Sequence, residues 1–337
     1  MPEVFGGILC AGFGTRLKPI TEVVPKPLVP FLNTPIVAYP LQNLRSAGIE
    51  RVGLNLHHLA DLVPPVVDKL ALVLGVKPVY SREWEILGTG GGIRGIWEAL
   101  GEPEGTLAVL NGDSVSDIEL APHIEAHHAS GADVTLVIRA KTEGQPGRVF
   151  VGQGKGIAGI RDYRRPGASG LTEYEFTGVH ILSHRAISRL ELEPSDVVDE
   201  LYGPMVQADE AIGFSVAEGG FWAALDNPRL IFDATKAVLD APEVFGLAPL
   251  GEAIGDKLHI LRQEDISGES KVSGPLFFGM NVKTEAKAFV GPYVVMDGVE
   301  VASGAKVKNA ILYGMGRIEG EWEDCLAVAG KVVSIPS

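Results

Sequence analysis

The stretch Leu9–Pro30, which reads LCAGFGTRLKPITEVVPKPLVP, constrains this chain more than any other. It follows an apolar run, Val4–Leu9, that predicts a buried strand. The chain then turns through Gly12 and Gly14, where the missing Cβ lets main-chain N–H groups converge on an anion. A strand followed by this turn therefore predicts an anion-binding loop.

Two cations belong to the same stretch. Arg16 carries a planar, permanently charged fork suited to phosphate. Lys26 lies between Pro25 and Pro27, which we expect to hold its backbone extended. The glycines alone would favour a turn and a proline-rich connector, whereas glycines with two cations predict a triphosphate site. No Gly-Lys-Ser/Thr closes the loop, and Leu17 replaces the third glycine of a dinucleotide fingerprint, so it fits neither of those motifs.

Over its full length the stretch resembles the signature of the sugar-nucleotidyltransferases, Gly-x-Gly-Thr-Arg-Leu, then Pro-x-Thr and Pro-Lys-Pro-Leu. The resemblance implies a reaction between a nucleoside triphosphate and a sugar 1-phosphate, with Mg²⁺ as cofactor and pyrophosphate as product. It makes Arg16 and Lys26 catalytic. It also implies that the loop binds the nucleotide through Leu9, Ala11, Gly12, Gly14, Thr15 and Arg16.

A second glycine-rich segment follows a predicted strand near Val76–Tyr80. The run Gly88-Thr89-Gly90-Gly91 predicts a turn before a helix and lets backbone approach a ligand, although a flexible loop is the alternative. The segment resembles the family's base-binding turn, which implies nucleotide contacts from Gly88 and Thr89. Its Glu83–Glu85 lead-in resembles the mannose-1-phosphate guanylyltransferases, and its three glycines resemble the muramate-1-phosphate uridylyltransferases.

The predicted strand Thr106–Leu110 ends in Asn111-Gly112-Asp113. Ligands of α/β sheets bind at the carboxyl ends of parallel strands, and magnesium prefers one or two carboxylates with phosphate oxygens and water. The family holds its metal with this aspartate. We therefore expect Asp113 to be a catalytic metal ligand and Asn111 to contact the nucleotide.

Later segments resemble the sugar side of the family's site. The Gly147-Arg148-Val149 segment resembles one in which the glycine approaches the sugar, and Glu175 to Val179 resembles the strand that presents a carboxylate. The family's Glu-Lys-Pro motif is replaced by Arg164-Arg165-Pro166. The resemblance implies sugar contacts from four residues: Gly147, Arg165, Glu175 and Thr177.

The family's second metal carboxylate, in Trp-x-Asp-x-Gly, is replaced by Ala224. Asp226 lies two residues later, on the same side of an extended segment but about 7 Å further along, and is a second candidate metal ligand. Two hypotheses remain open. The chain is an active nucleotidyltransferase, or it is a paralogue that binds nucleotide sugar, has lost turnover and regulates an active partner.

Alternating strands and helices predict an α/β fold with a doubly wound, mostly parallel sheet over residues 1–240. Residues 241–264 read as a linker. From residue 265 to 337 the period is six: Val295, Val301 and Val307 repeat, with Phe289 before and Tyr313 after. This pattern resembles a left-handed parallel β-helix, with a β-sandwich as the alternative, and we expect it to form a homo-oligomer.

The net charge of −14 argues against nucleic acid or an anionic membrane as partner. No apolar run reaches the roughly 20 residues of a membrane span, and no signal peptide precedes the first strand, so we expect a cytoplasmic protein. Cys10 and Cys325 are expected to be reduced and structural. His123 and His127 could share a helix face and a zinc ion, but without a third ligand a solvated face is favoured.

Overall fold

The computed structural model describes residues 2–142, 147–153, 156–248, 257–261 and 265–336. The chain divides into two compact units, Met1–Gly12 with Val37–Trp222, and Phe13–Ile36 with Ala223–Ser337. The predicted boundaries at residues 240 and 265 stay a prediction; the compact units differ from them by joining residues 13–36 and 223–240 to the C-terminal part. Much of the predicted linker, 241–264, lies outside the described residues.

The first unit combines a sheet with helices. Its strands are Glu3–Leu9, Arg51–Leu56, Lys77–Arg82, Gly105–Asn111, Ser114–Ser116, Val134–Ala140, Val149–Val151, Ile157–Ile160, Tyr163–Arg164, Thr172–Ser183 and Gly213–Val216. Its helices are Ala38–Ser46, Pro64–Leu74, Gly88–Ala99, Leu120–Ser130, His184–Ile187 and Gly203–Gln207, with a 3-10 turn Ala60–Leu62 and a π-helix Val198–Tyr202. The predicted α/β class is confirmed.

One half of the sheet is parallel. Glu3–Leu9 lies between Arg51–Leu56 and Gly105–Asn111, and both pair with it in parallel. Lys77–Arg82 adds a fourth parallel strand beside Arg51–Leu56. A strand enclosed in this way is buried on both faces, which explains why its sequence reads as a continuous apolar run. The parallel half brings the carboxyl ends of these strands to one edge.

The other half of the sheet is largely antiparallel. Thr172–Ser183 runs antiparallel to Gly105–Asn111, to Val134–Ala140 and to Val149–Val151. Gly213–Val216 pairs in parallel with Val134–Ala140. The sheet is therefore mixed rather than mostly parallel, because the long strand Thr172–Ser183 is antiparallel to the three strands it pairs with.

The core of this unit lies between the sheet and its helices. Trp97, on the helix Gly88–Ala99, is fully buried and meets Phe5 edge to face, with 5.9 Å between ring centroids. Such aromatic pairs stabilise beyond their buried area by about 0.5–1.5 kcal/mol. This packing fixes the helix whose first turn borders the site described below.

The helix Ala38–Ser46 begins three residues after Pro35. Pro35 belongs to a short hairpin in which Pro30–Phe31 pairs antiparallel with Thr34–Pro35. Its two turn residues, Leu32 and Asn33, both have positive φ, as a two-residue hairpin turn requires. The sequence pattern missed this turn because its first residue is a leucine.

The predicted solvated histidine face is wrong. His123 and His127 are buried on the helix Leu120–Ser130, and their Nδ1 atoms lie 2.7 Å and 2.8 Å from the hydroxyls of Ser215 and Thr135. Burial lowers the pKa of both histidines, that of His127 to about 4. They are core residues that satisfy strand hydroxyls.

The second unit contains short turns, one long helix and a β-region. Its helix is Pro228–Asp240, and its 3-10 turns are Thr15–Leu17, Ile20–Glu22, Lys26–Leu28 and Pro242–Val244. Besides the hairpin, its strands are Leu258–Ile260, Lys271–Val272, Leu276–Phe278, Lys283–Thr284, Phe289–Val290, Val294–Val301, Lys306–Ile318, Glu321–Val328 and Lys331–Ser334. A further strand, Trp222–Ala224, crosses the point in the chain where the first unit ends.

The C-terminal strands stack in parallel coils. Leu276 pairs with Leu258 and Val294 pairs with Leu276, eighteen residues apart in each case. Ala310 and Cys325 continue the same column. Parallel pairing at this spacing is typical of a coiled β-helix and not of the antiparallel β-sandwich that was the alternative. The handedness of the coils stays a prediction.

The predicted six-residue column is correct in part. Val301 and Val307 belong to the buried core of the coils, and Val295 and Tyr313 are buried as well. Phe289 is 39% exposed, because its neighbour in the strand takes the inward position. Among the described residues, no helix is both long enough and apolar enough to cross a membrane.

Candidate functional site

A cavity of about 230 Å³ lies at the carboxyl edge of the parallel strands in the first unit. Leu9 pairs with Asn55 on one side and with Asn111 on the other, so three strand ends meet there. Seven residues predicted to bind nucleotide or metal line it, together with Asn55 and Ile86: Leu9, Ala11, Gly12, Gly88, Thr89, Asn111 and Asp113. The structure thus brings together segments about 100 residues apart in the chain.

The Asp113 loop folds tightly onto the end of the first strand. Gly112 N donates to Leu9 O at 2.9 Å, and a Cβ at position 112 would lie 2.6 Å from that oxygen. Burial, and then the charge of Asp113, raise the pKa of the Cys10 thiol. Cys10 is therefore an unreactive buried thiol, as expected, beside a carboxylate that lines the cavity.

The second glycine segment is the first turn of the helix Gly88–Ala99, not a flexible loop. A Cβ at Gly90 would lie 2.4 Å from Ser195 Oγ, and one at Gly91 would lie 2.3 Å from a main-chain oxygen. Thr89 Oγ1 accepts a hydrogen bond from Val197 N at 2.8 Å. Packing against residues 193–195 thus requires Gly90 and Gly91. Gly88 and Thr89 line the cavity.

Asn55 is a cavity residue that sequence reasoning missed. It is 2% exposed; its Oδ1 accepts from Cys10 N at 2.8 Å and its Nδ2 donates to Glu83 Oε1 at 2.7 Å. An asparagine at the end of a predicted strand, two residues before a histidine pair, gave no signal of this contact. Its partners come from distant parts of the chain.

The remainder of the predicted triphosphate loop belongs to the second unit. Gly14 has a left-handed backbone with φ of 61°, and a Cβ there would lie 2.8 Å from Thr21 Cγ2. Thr21 Oγ1 donates to Gly14 O at 2.9 Å. Thr15 and Arg16 form a short 3-10 turn immediately after this glycine. The loop is therefore closed on itself by local bonds.

Lys26 is buried, and its Nζ lies 2.7 Å from Asp226 Oδ1. Arg16, whose side chain is 63% exposed, places Nη2 3.2 Å from the same oxygen. The expected extended backbone at Lys26 is wrong: Pro25 is extended, but Lys26 begins a 3-10 turn. The structure thus joins both predicted cations through one carboxylate.

Asp113 and Asn111 both line the cavity, and carboxylate and amide oxygens are ligands that fit a divalent cation such as Mg²⁺. Among the described residues, no group of three or more histidine, cysteine or acidic side chains is arranged to hold a metal. Asp226, the second candidate ligand, has one oxygen engaged by two cations. A carboxylate in that state is a weaker metal ligand.

The predicted sugar contacts have other partners in the first unit. Glu175 Oε2 lies 3.5 Å from Arg139 Nε and accepts from Thr142 Oγ1 at 3.1 Å. Arg165 Nε lies 2.9 Å from a carboxylate oxygen of Asp209. A Cβ at Gly147 would lie 2.6 Å from the Cβ of residue 173. None of these three described residues lines the cavity above.

The Thr177 hydroxyl is used within the fold. The residue is 1% exposed, and its Oγ1 donates to Val137 O at 2.7 Å. Its main-chain oxygen accepts from Trp222 Nε1 at 2.7 Å. The neighbouring Gly178 has φ of 79°, and a Cβ there would lie 2.6 Å from the Asn111 amide. Gly178 thus packs closely against the Asn111 amide, and Thr177 beside it is held by bonds within the fold.

Comparison with known proteins agrees with this geometry. A family model described as "Nucleotidyl transferase" matches residues 6–149. The chain is 28% identical over 318 residues to "Probable mannose-1-phosphate guanylyltransferase 1" of Oryza sativa subsp. japonica, covering 94% of this chain and 87% of that one. It is 29% identical over 222 residues to "Mannose-1-phosphate guanylyltransferase catalytic subunit beta" of Xenopus tropicalis, covering 66% and 61%.

A solved UDP-glucose pyrophosphorylase from Acinetobacter baumanii has a similar fold. The TM-score is 0.55 at 20% identity, over 72% of this chain and 96% of that structure. At this identity the likeness concerns the fold alone. Residues 6–149 of this chain match the nucleotidyl transferase family model, and the two relatives and the shared fold agree with that match and with the cavity geometry.

Proposed function

We propose that this protein is a sugar-1-phosphate nucleotidyltransferase, which converts a nucleoside triphosphate and a sugar 1-phosphate into a nucleotide sugar and pyrophosphate. The observation that carries the proposal is the cavity in which Asp113 and Asn111 share walls with both glycine segments. A carboxylate next to converging main-chain groups at strand ends suits a metal-bound nucleotide. The names of the two relatives support the same reaction.

In this reaction a phosphate oxygen of the sugar 1-phosphate attacks the α-phosphorus. A new P–O bond forms, and the bond from the α-phosphorus to the bridging oxygen breaks, releasing pyrophosphate. The nucleophile is already an anion, so no general base is needed, and catalysis rests on positioning and charge stabilisation.

We assign the roles as follows. Arg16 and the amides of residues 12–15 stabilise the β- and γ-phosphates, and Lys26 stabilises the α-phosphate. Asp113 would hold Mg²⁺, which when bound neutralises charge on the phosphates. Gly88 and Thr89 contact base or ribose, and the threonine hydroxyl, which accepts a bond from Val197 N, keeps its O–H as a donor.

The sugar side of the site is proposed with one change of role. Gly147 and Glu175 keep the sugar contacts that the resemblance implies, and Arg165 would hold the sugar phosphate only by leaving its ion pair with Asp209. Thr177 acts through its neighbour Gly178, since its hydroxyl is bonded to Val137 O and its main-chain oxygen accepts from Trp222 Nε1. Guanine and mannose are the favoured base and sugar, in agreement with the relatives' names.

Further parts of the proposal concern the whole chain. The parallel coils are proposed to form a left-handed β-helix, and the eighteen-residue pairing supports that coil length. Homo-oligomerisation through this β-helix and a cytoplasmic location stay predictions from the sequence, as does the absence of a nucleic-acid partner. The regulatory paralogue is not favoured, because the relatives are named as guanylyltransferases.

Pyrophosphate release over a matrix of five triphosphates and the common sugar 1-phosphates tests the proposed function. We expect the wild-type protein to turn over, with GTP and mannose 1-phosphate as the preferred pair. An inactive wild-type protein across the whole matrix would contradict the proposal.

The variant Ala224→Asp separates the two hypotheses. It places a carboxylate where the family carries its second metal ligand, so we expect the apparent affinity for Mg²⁺ to rise by about tenfold while turnover persists in both forms. Steady-state rates over a Mg²⁺ titration measure this. Activity in the variant alone would instead favour the regulatory paralogue.

A further inference from the structure

Glu83 is a buried acid in the first unit to which the proposed function gives no role. It is 5% exposed and lies between the strand Lys77–Arg82 and the helix Gly88–Ala99. The next acid, Glu85, is exposed. A carboxylate is rarely buried unless all its oxygens are bonded, so the partners of Glu83 indicate what it does.

Both carboxylate oxygens of Glu83 accept hydrogen bonds. Oε1 accepts from Asn55 Nδ2 at 2.7 Å, and Oε2 accepts from Leu87 N at 2.9 Å. The other end of the Asn55 side chain accepts from Cys10 N at 2.8 Å. The main chain of Glu83 is fixed too, because His57 Nδ1 lies 3.0 Å from its carbonyl oxygen. One continuous chain of bonds therefore runs from Cys10 to Leu87.

The two ends of this chain of bonds adjoin two walls of the cavity. Cys10 immediately precedes Ala11 and Gly12, and Leu87 immediately precedes Gly88 and Thr89; those four residues line the cavity. Asn55 lines it as well, whereas Glu83 lies behind it. The separation of the walls is thus set by side-chain bonds in addition to the sheet.

Gly92 provides a second, independent observation. A Cβ at this position would lie 2.6 Å from Asn55 Nδ2 and 3.3 Å from Glu83 Oε1. The helix therefore packs directly against the Asn55–Glu83 bond, and the absence of a side chain at Gly92 leaves room for that contact. The glycine at position 92 and the buried Glu83 carboxylate are therefore packed against each other through Asn55.

The direction of each bond makes the network specific. The two ends are main-chain N–H groups, which only donate. The two side chains between them must therefore offer one acceptor to each N–H group and one donor for the bond that joins the side chains. Asn55 with Glu83 does so. A glutamine at position 83 would place its NH₂ group against another donor, either Asn55 Nδ2 or Leu87 N. If the Asn55 amide flipped to accept from that NH₂ group, its own NH₂ group would then face the donor Cys10 N.

We infer that Glu83, acting through Asn55 and Leu87 N, is a positioning residue that holds the two walls of the nucleotide cavity at binding distance. The inference rests on the proposed function, since it names a residue that supports the same cavity without touching the ligand. It predicts that loss of the carboxylate weakens triphosphate binding more than it affects the sugar 1-phosphate.

Glu83→Gln tests this, with Glu85→Gln as a control that makes the same change of charge two residues away. The probe is whichever of ATP, GTP, CTP, UTP and dTTP gives the wild-type protein the largest thermal shift. The Kd of that triphosphate is then measured by calorimetry in the presence of Mg²⁺. We expect its Kd to rise by about tenfold in Glu83→Gln, the effect of one unsatisfied buried donor, and to stay unchanged in Glu85→Gln. The KM of the sugar 1-phosphate should change by less than about threefold.

A reversed pair provides the decisive comparison. Asn55→Asp alone would put two carboxylates face to face and weaken binding as well. Combined with Glu83→Gln, it restores a full match, because the acid at position 55 accepts from Cys10 N and from the new amide, whose oxygen accepts from Leu87 N. We expect the double variant to bind the triphosphate within about threefold of wild type.

The outcomes separate the two proposals. A wild-type protein that binds none of the five triphosphates would overturn the proposed function and this inference with it. Wild-type binding with Glu83→Gln equal to Glu85→Gln would overturn the inference alone. So would a double variant that binds the triphosphate about tenfold or more weakly than wild type, and this comparison with wild type needs neither single variant to fold.

Discussion

Asp113→Ala should lower the rate of pyrophosphate release by at least about a hundredfold, the size expected for losing one strong electrostatic contact in the transition state. Asp113 lines the cavity with Asn111 and is the acid we assign to Mg²⁺. The remaining phosphate oxygens and water bind the metal weakly without it. The loss should therefore shrink, but not disappear, at high Mg²⁺ concentration.

The control is Asp61→Ala, an acid in the same unit whose side chain is 80% exposed and whose partner is Arg82 on the surface. An exposed pair of this kind contributes about 0–1 kcal/mol, so the rate should not change. Rates measured over a Mg²⁺ titration give both the metal affinity and the limiting rate. Turnover of Asp113→Ala at the wild-type level would refute the assignment of this acid to the metal.

The residues at the strand ends could be predicted because their signal is local. Each of these residues lies at or just after the end of an apolar run: Leu9, Gly12, Asn111 and Asp113. Parallel strands bring their carboxyl ends to one edge of the sheet. The family resemblance names these residues, and their place at the ends of apolar runs is a second, local reason to expect them at one edge. The short helices and the hairpin at Pro35 were beyond this reasoning, since a two-residue turn is decided by backbone angles.

The network behind the cavity could not be predicted in the same way. Asn55 bonds to Cys10 across 45 residues and to Glu83 across 28 residues. Neither pair has a periodic pattern or a motif that would connect them. Similarly, His123 and His127 look like a polar helix face until strand hydroxyls are placed against them.

Two threonines show that the hydroxyl of a predicted site residue can be used within the fold. The Thr89 hydroxyl accepts from Val197 N and the Thr177 hydroxyl donates to Val137 O, so both hydroxyls already have partners within the fold. A family motif fixes which residue lies in a site but not which of its atoms faces the ligand. The hydrogen bonds of the fold decide that.

Asp226→Asn should destabilise the protein by about 2 kcal/mol, because it leaves the buried Lys26 ammonium beside a neutral amide. Breaking a fully buried pair costs more, but the Asp226 side chain is 26% exposed, so solvent screens part of the effect. Urea unfolding measures the change. Asp233→Asn, at an exposed pair with Arg229 on the same unit's helix, should cost less than about 0.5 kcal/mol.

The same variant decides between two roles for Asp226. If the carboxylate serves as the counter-ion of Lys26 and Arg16, a triphosphate can replace it, and the nucleotide should raise the melting temperature of Asp226→Asn more than that of wild type. If Asp226 is a metal ligand, the variant should instead require more Mg²⁺ and show no greater stabilisation by nucleotide. The 2.7 Å contact to Lys26 favours the first result. On that reading, Asp226 neutralises the cationic loop until phosphate takes its place.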